Sequence, residues 1–234
     1  MKTKTLMMLI LATLTVGAAL PQDATPAPKV TGEDDLVQTT GRYAATWVRP
    51  GVDLSHYTKL LLWKTVFQFR DVGKTPTSVP TSVSLGHMEG PFSIDDEDKQ
   101  KFEEIVDEAL VKQLARSKEF EVVDQPGPNT LIVRPMMLDI ISDVPPSPIG
   151  YTNVYLASVG EATIVFELVD AETGTIVARA GERRSIKPQS RMVGVNPAPM
   201  TSATVFNDVR RWSYEVAREL RVALDKARKK AEKK

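Results

Sequence analysis

Apolar side chains return at steps of three and four through residues 94 to 117. Phe102, Ile105, Val106, Ala109, Leu110 and Leu114 fall on one face of a helix over this span. The acids Asp95 to Asp98 stand at the positive end of its dipole, Lys112, Arg116 and Lys118 at the other, and Ser93 can cap the first turn. A second stripe, Val205, Val209, Trp212, Val216, Leu220, Leu224 and Ala227, predicts a helix over 204–230. Its last turns, KARKKAEKK, lose apolar content and are expected to project into solvent.

Elsewhere the pattern shifts to extended runs. Residues 58–69, TKLLLWKTVFQF, read as one long strand buried at its start. A short strand, FEVVD (120–124), is followed by the turn PGPN (126–129). TLIVRPMMLDIISDV (130–144) is a strand interrupted by Pro135, which predicts an edge position or a bulge there. Residues 153–169 and 175–186 form two more strands across the hairpin loop DAETGT, where Gly174 is available for positive φ. Strand, helix, several antiparallel strands, helix: this order predicts an α+β fold. The expected architecture is a two-layer sandwich, a mostly antiparallel sheet with two long helices packed on it. Trp47, Trp63 and Trp212 are assigned to the core. There is no repeat and no second composition regime after residue 40, so residues 41–230 read as a single domain and 231–234 as a basic tail.

The N-terminus adds a compartment. Lys2 and Lys4, the apolar run TLMMLILATLTV (5–16) and the small residues GAA (17–19) mark residues 1–19 as a signal peptide, with an uncleaved membrane anchor as the alternative. Residues 20–40, rich in Pro, Thr, Ala and acid, read as a flexible linker. The 234 residues contain no cysteine. Disulfides, thiolate metal sites and a lipid-bearing cysteine are excluded, and an exported chain of this kind fits the periplasm or secretion from a bacterium. Thirty basic residues balance thirty acidic ones, so no net field recruits nucleic acid, which export also argues against.

Candidate chemistry is sparse. Asp53, Ser55 and His56 are the residue types of a hydrolase triad. Adjacent side chains of an extended segment point to opposite sides, no G-x-S-x-G elbow is present, and the other histidine, His87, is remote. The cluster reads instead as a Pro50-Gly51 turn in which Asp53 or Ser55 bonds local amides; a serine hydrolase stays as a remote alternative. The DDED run fits dipole complementarity better than a calcium loop, which needs ligands spaced around a bend. Two distant histidines without cysteine do not make a zinc site, and no P-loop or G-x-G-x-x-G is found. No catalytic residue, metal or cofactor is assigned. Two long Pro-, Gly- and Ser-rich loops, 71–92 and 187–203, are the expected contact surfaces, with Val79, Val83, Met88, Met192 and Val195 as the contact residues. The basic C-terminal end suits contact with a membrane surface.

Three segments, VRPGVDLSHYTKLLLWKTVFQF, FEVVDQPGPNTLIVRPMMLDI and VFELVDAETGTIVARAGERR, resemble a bacterial envelope family known as domain of unknown function 3313. The resemblance covers about residues 42–225. It implies an α/β fold and no known catalytic residue. Its members are mostly small exported lipoproteins, and this chain departs from them in lacking the lipid-bearing cysteine. A weaker fold-level similarity, through the strand-helix-strand order and the D-x-x-T-G hairpin, links it to periplasmic domains of secretion and assembly lipoproteins. The expected function is therefore a non-enzymatic envelope protein that binds an unidentified protein component of the periplasm or outer membrane. The alternative is a carrier of a small apolar ligand held between sheet and helices, which requires an apolar cavity of at least about 300 Å³.

Overall fold

The longest β-rich run forms one uninterrupted strand, β6 (Thr130–Ser142), and this strand is the spine of the sheet. The computed structural model describes residues 35–73, 91–144, 157–188 and 202–233. Among them, ten elements follow in order: β1 (Val37–Gln38), β2 (Ala45–Val48), β3 (Lys59–Leu62), β4 (Val66–Phe69), α1 (Asp96–Leu114), β5 (Glu121–Val123), β6, β7 (Gly160–Asp170), β8 (Ile176–Ile186) and α2 (Ser202–Ala231). The strands make one mixed sheet in the order β1-β2-β8-β7-β6-β3-β5, with β4 also paired to β6. The α+β expectation holds, and Val37 and Gln38, placed in the linker by the sequence reading, already belong to the sheet.

The two edges of β6 differ in direction. On one it runs antiparallel to β7, which pairs in turn with β8. On the other it runs parallel to β3 and β4, and β3 is parallel to β5. Parallel neighbours need a crossover long enough to return the chain to its starting end, and α1 supplies it between β4 and β5.

Pro135 explains why residues 58–69 form two strands rather than one. The Val133 carbonyl accepts a hydrogen bond from the Trp63 amide at 2.8 Å, so Val133 directs its backbone groups toward β3. Residues two apart on a strand direct them the same way, so Pro135 faces that edge with no N–H to give. β3 pairs with β6 through Val133, and β4 resumes the pairing at Met136. Pro135 is fully buried in a central strand, not at an edge. The expected bulge exists, but at Asp139. There three steps of β6 (Leu138 to Ile141) face two of β7 (Thr163 to Glu161). Asp139 takes φ +52°, a left-handed conformation that aspartate tolerates better than most residues.

The bulge is held by charge. Asp139 accepts hydrogen bonds from Arg70 Nε at 2.6 Å and from Arg183 at 2.7 Å. Arg183 Nε also donates to Glu161 at 2.8 Å, and the Ser185 hydroxyl does so at 2.9 Å. Arg70 holds the Asp139 carboxyl below the usual carboxylate range, with Arg183 adding to it. Arg183 and then Ser185 do the same for Glu161.

Both helices cover one face of the sheet. Leu60 of β3, Leu131, Val133 and Met137 of β6, and Ala162, Ile164 and Phe166 of β7 meet Phe102, Val106, Leu110 and Leu114 of α1 and Val209, Val216 and Leu220 of α2 in one core cluster. Phe102 is the wedge between the layers, with its ring centroid 5.9 Å from Phe69 and 6.4 Å from Trp212. Every residue of the predicted α1 stripe is buried. The helix cap is Asp95, whose carboxylate accepts the Asp98 amide at 2.8 Å, and not Ser93, which lies two residues too early.

Trp212 is core, as expected; Trp63 is 52% exposed and Trp47 half-buried, because both lie on the sheet face away from the helices. The C-terminal turns of α2 are also not simply solvated. Ser117 donates to Asp225 at 2.6 Å, Lys229 pairs with Glu119 at 3.0 Å, and the Arg228 guanidinium stands 5.3 Å from the Phe120 ring.

Two substitutions test this account. Asn also accepts left-handed φ but carries no charge, so Asp139→Asn should keep the bulge and lose the ion pairs. A depressed carboxyl stabilises the fold above its unfolded pKa of about 4 and loses that contribution as pH falls through the folded value. The variant should melt lower than wild type at neutral pH, with a shallower loss of Tm between about pH 4.5 and 2. The Tyr43 hydroxyl is buried without a partner, and burial pushes its pKa upward. A raised tyrosine favours the fold below its unfolded pKa of about 10 and loses this above it. Tyr43→Phe should match or exceed wild type at neutral pH, by up to about 1–2 kcal/mol in denaturant melts, with a weaker fall in stability above pH 10.

Candidate functional site

The Asp53-Ser55-His56 cluster is a local turn. Asp53 accepts the Ser55 amide at 2.9 Å through one carboxylate oxygen and the Ser55 hydroxyl at 2.8 Å through the other. A triad needs the serine to give its proton to the imidazole and the imidazole to lean on the carboxylate. Here Ser55 donates directly to the carboxylate, and His56 lies against the ring of Tyr57 at a centroid distance of 3.9 Å. Tyr57 matters to the fold. Its hydroxyl donates to Asp170 at 2.6 Å, in the same hairpin where Asp170 accepts the Glu172 and Thr173 amides. Burial opposes the Asp170 charge, but these donors outweigh it and hold the carboxyl below its usual range.

The acids before α1 are likewise engaged in helix-start geometry, with Asp95 as cap and Asp96 2.9 Å from Lys99. Among the described residues no group of three or more His, Asp or Glu side chains is placed to hold a metal ion. Val79, Val83, Met88, Met192 and Val195 lie outside the described residues.

What the sequence reading missed is a notch. The break between β3 and β4 leaves a cleft of about 470 Å³ beside β6, lined by Trp63, Lys64, Thr65, Val66, Arg134 and Met136 and, from the helix layer, by Glu103 of α1. Trp63 and Val66 are each 52% exposed. Beneath them the Thr65 hydroxyl is buried without a hydrogen-bond partner. An apolar-ligand carrier needs an apolar cavity between the layers; this cleft is open and has charged walls.

The notch ends a row of side chains across the face that no described helix covers. Trp47 of β2 stands opposite Arg179 of β8, Arg179 opposite Glu167 of β7, and Glu167 opposite Arg134 of β6. Trp63, one residue past β3, continues the row beside Arg134. With strands about 4.8 Å apart, the backbones at Trp47 and Trp63 stand about 19 Å from each other. Glu167 is only 8% exposed and is shared: Arg179 holds it at 2.7 Å, Arg134 at 3.5 Å. Arg134, 46% exposed, makes only this long ion pair among the described residues, which leaves most of its five N–H donors unused there. The next row, Ala45, Gly181, Val165 and Met136, leads to Val66 and is small or apolar. The arrangement can seat an apolar side chain in the notch and pair a carboxylate with Arg134 at its rim.

Sequence signals for this site existed. Pro135 marks the place where a partner strand must stop, and Trp63 lies at that stop. Reading the run 58–69 as unbroken hid both.

No helix among the described residues is long and apolar enough to cross a membrane. The chain matches none of the curated proteins in sequence. Solved structures that the chain matches include a Xanthomonas campestris protein of family DUF330, at 9% identity and TM-score 0.41, covering 80% of this chain and 94% of that one. The PelC dodecamer from Paraburkholderia phytofirmans shows 10% identity and TM-score 0.31, covering 80% and 96%. A candidate lipoprotein from Caulobacter crescentus CB15 shows 14% identity and TM-score 0.32, covering 53% and 81%. At the level of sequence families the match is direct: the family described as "Protein of unknown function (DUF3313)" matches residues 30–201, and the chain belongs to it.

Proposed function

We propose that this protein is an exported, non-enzymatic accessory of the bacterial envelope that acts by binding another protein component there. Three things support export and class: the charged, apolar and small-residue order of residues 1–19, the absence of cysteine, and membership of a family whose description carries no activity.

What carries the binding reading is that Trp63 and Arg134 both line the notch. Trp63 is left half in water, and Arg134, held among the described residues only by a long contact to Glu167, keeps N–H donors to spare. These two residue types dominate the energetics of protein interfaces, because each combines large contact area with directed hydrogen bonds. The notch supplies a recess for an anchoring side chain, and Val66 and Met136 extend its apolar wall. Pairing of Arg134 with a partner carboxylate would be charge-assisted and directional.

Crosslinking in intact cells followed by mass spectrometry, comparing wild type with Trp63→Ala and Arg134→Ala, tests this directly. Both side chains are about half exposed and Arg179 stays on Glu167 in Arg134→Ala, so both variants should remain folded, losing at most about 1–2 kcal/mol. Partners using the notch should disappear from the crosslinked set, and purified partner should bind each variant at least about tenfold more weakly. An identical partner set in both variants and in Val66→Asp would overturn the proposal.

A further inference from the structure

The basic end of α2 forms a continuous surface larger than its terminal lysine run. At 100° per residue, Arg218, Val222, Lys226, Lys229 and Lys233 fall within an arc of roughly 80°, on the side opposite Val209, Val216 and Leu220. Lys230 flanks this arc. Arg218, Lys226, Lys229, Lys230 and Lys233 are all exposed, and Val222, at the centre, is 41% exposed.

Most nearby carboxylates are engaged within the chain, and exposed Glu215, one turn before Arg218, offsets a single charge on this side. Asp225 takes the Ser117 hydroxyl and Arg221, Glu232 pairs with Arg228, and Glu119 pairs with Lys229. Arg218, Lys226, Lys230 and Lys233 have no carboxylate partner among the described residues. The face thus carries unbalanced positive charge, although the whole chain is neutral. The same internal contacts pin the helix end to Ser117, Glu119 and Phe120, so the cations are presented on a rigid rod and not on a frayed tail.

We propose that this face of α2 rests on an anionic lipid bilayer. A straight row of cations over about four helical turns matches a flat charged plane, and one exposed valine with no aromatic beside it suits adsorption at the headgroups without deep insertion. α2 lies in the layer opposite the Trp47–Trp63 row, so a molecule seated this way turns its notch away from the lipid.

Flotation of the full chain with vesicles tests the idea, comparing phosphatidylcholine alone with a mixture containing phosphatidylglycerol. The apolar run at residues 5–16 partitions into either lipid, so the readout is the difference between the two. Binding should be stronger on the anionic vesicles, and the difference should vanish as salt rises from about 50 to about 500 mM. Lys226→Glu/Lys230→Glu/Lys233→Glu should retain the circular dichroism and Tm of wild type, and should lose the anionic preference by roughly fivefold or more per charge. Arg218→Glu, on a separate turn, should weaken it alone. Equal binding to both vesicles, or full anionic preference in the triple variant, overturns the proposal. So does binding to a soluble polyanion such as heparin with no preference for anionic vesicles.

Discussion

The missing amide of Pro135 is the constraint around which this sheet is arranged. β6 must pair on both edges, because it is the central strand and its helix-facing side chains are fully buried. One position on its β3/β4 edge cannot donate. A single partner strand passing that position would leave a carbonyl unanswered in a buried setting, which costs more than breaking the strand. The chain breaks, and β3 and β4 lie end to end along one neighbour. The exposed residues at its mouth, Trp63 and Lys64, keep the cost of the break low, and the Thr65 hydroxyl, buried without a partner, is the part that remains. The notch, with its exposed indole and the Arg134 guanidinium, follows from that solution.

The bulge at Asp139 is the second adjustment to β6. It inserts one residue against both neighbours, and the left-handed aspartate is then fixed by Arg70, just past β4, and by Arg183 of β8. The same economy appears at the layer boundary. Glu219 of α2 accepts from Arg42 at 2.9 Å and from Arg184 of β8 at 2.5 Å, tying the second helix to the sheet. The Arg42 hydrogen bond first, then Arg184, holds its carboxyl below the usual range against the effect of burial. Charged side chains in this molecule mostly serve as local fasteners. Arg134, with its one long contact, and the outer cations of α2 are less engaged, and they lie on opposite faces. A two-layer fold buries each sheet face and each helix stripe only once, and so presents two independent surfaces.

The helices were legible in the sequence almost residue by residue, because a 3.6-residue repeat of apolar side chains has one physical solution: bury that face. The α1 stripe from Phe102 to Leu114 and the α2 stripe from Val205 to Leu224 are the halves of the core that periodicity reports. The hairpin at Asp170–Gly174 was legible for a similar reason, since aspartate and glycine satisfy that turn by themselves. Strand pairing was not. Apolar residues on a strand say that it is covered, not which neighbour lies beside it or in which direction. The strand-helix-strand run from residue 58 to 124 held the one clue to parallel pairing, in that a single helix between strands returns the chain to its starting end.

By itself, then, the sequence determined the α+β class, the two helices and their buried faces, the hairpin, the turn at Asp53, and membership of the family. Each of these rests on interactions between residues close along the chain, or on recurrent local patterns. Tertiary structure decided the mixed direction of the sheet, the splitting of 58–69, the outward placement of Trp47 and Trp63, and the bracing of the α2 terminus by Glu119 and Phe120. These depend on partners tens to more than a hundred residues away. A proline in one strand dictates where another must end only after the two are neighbours.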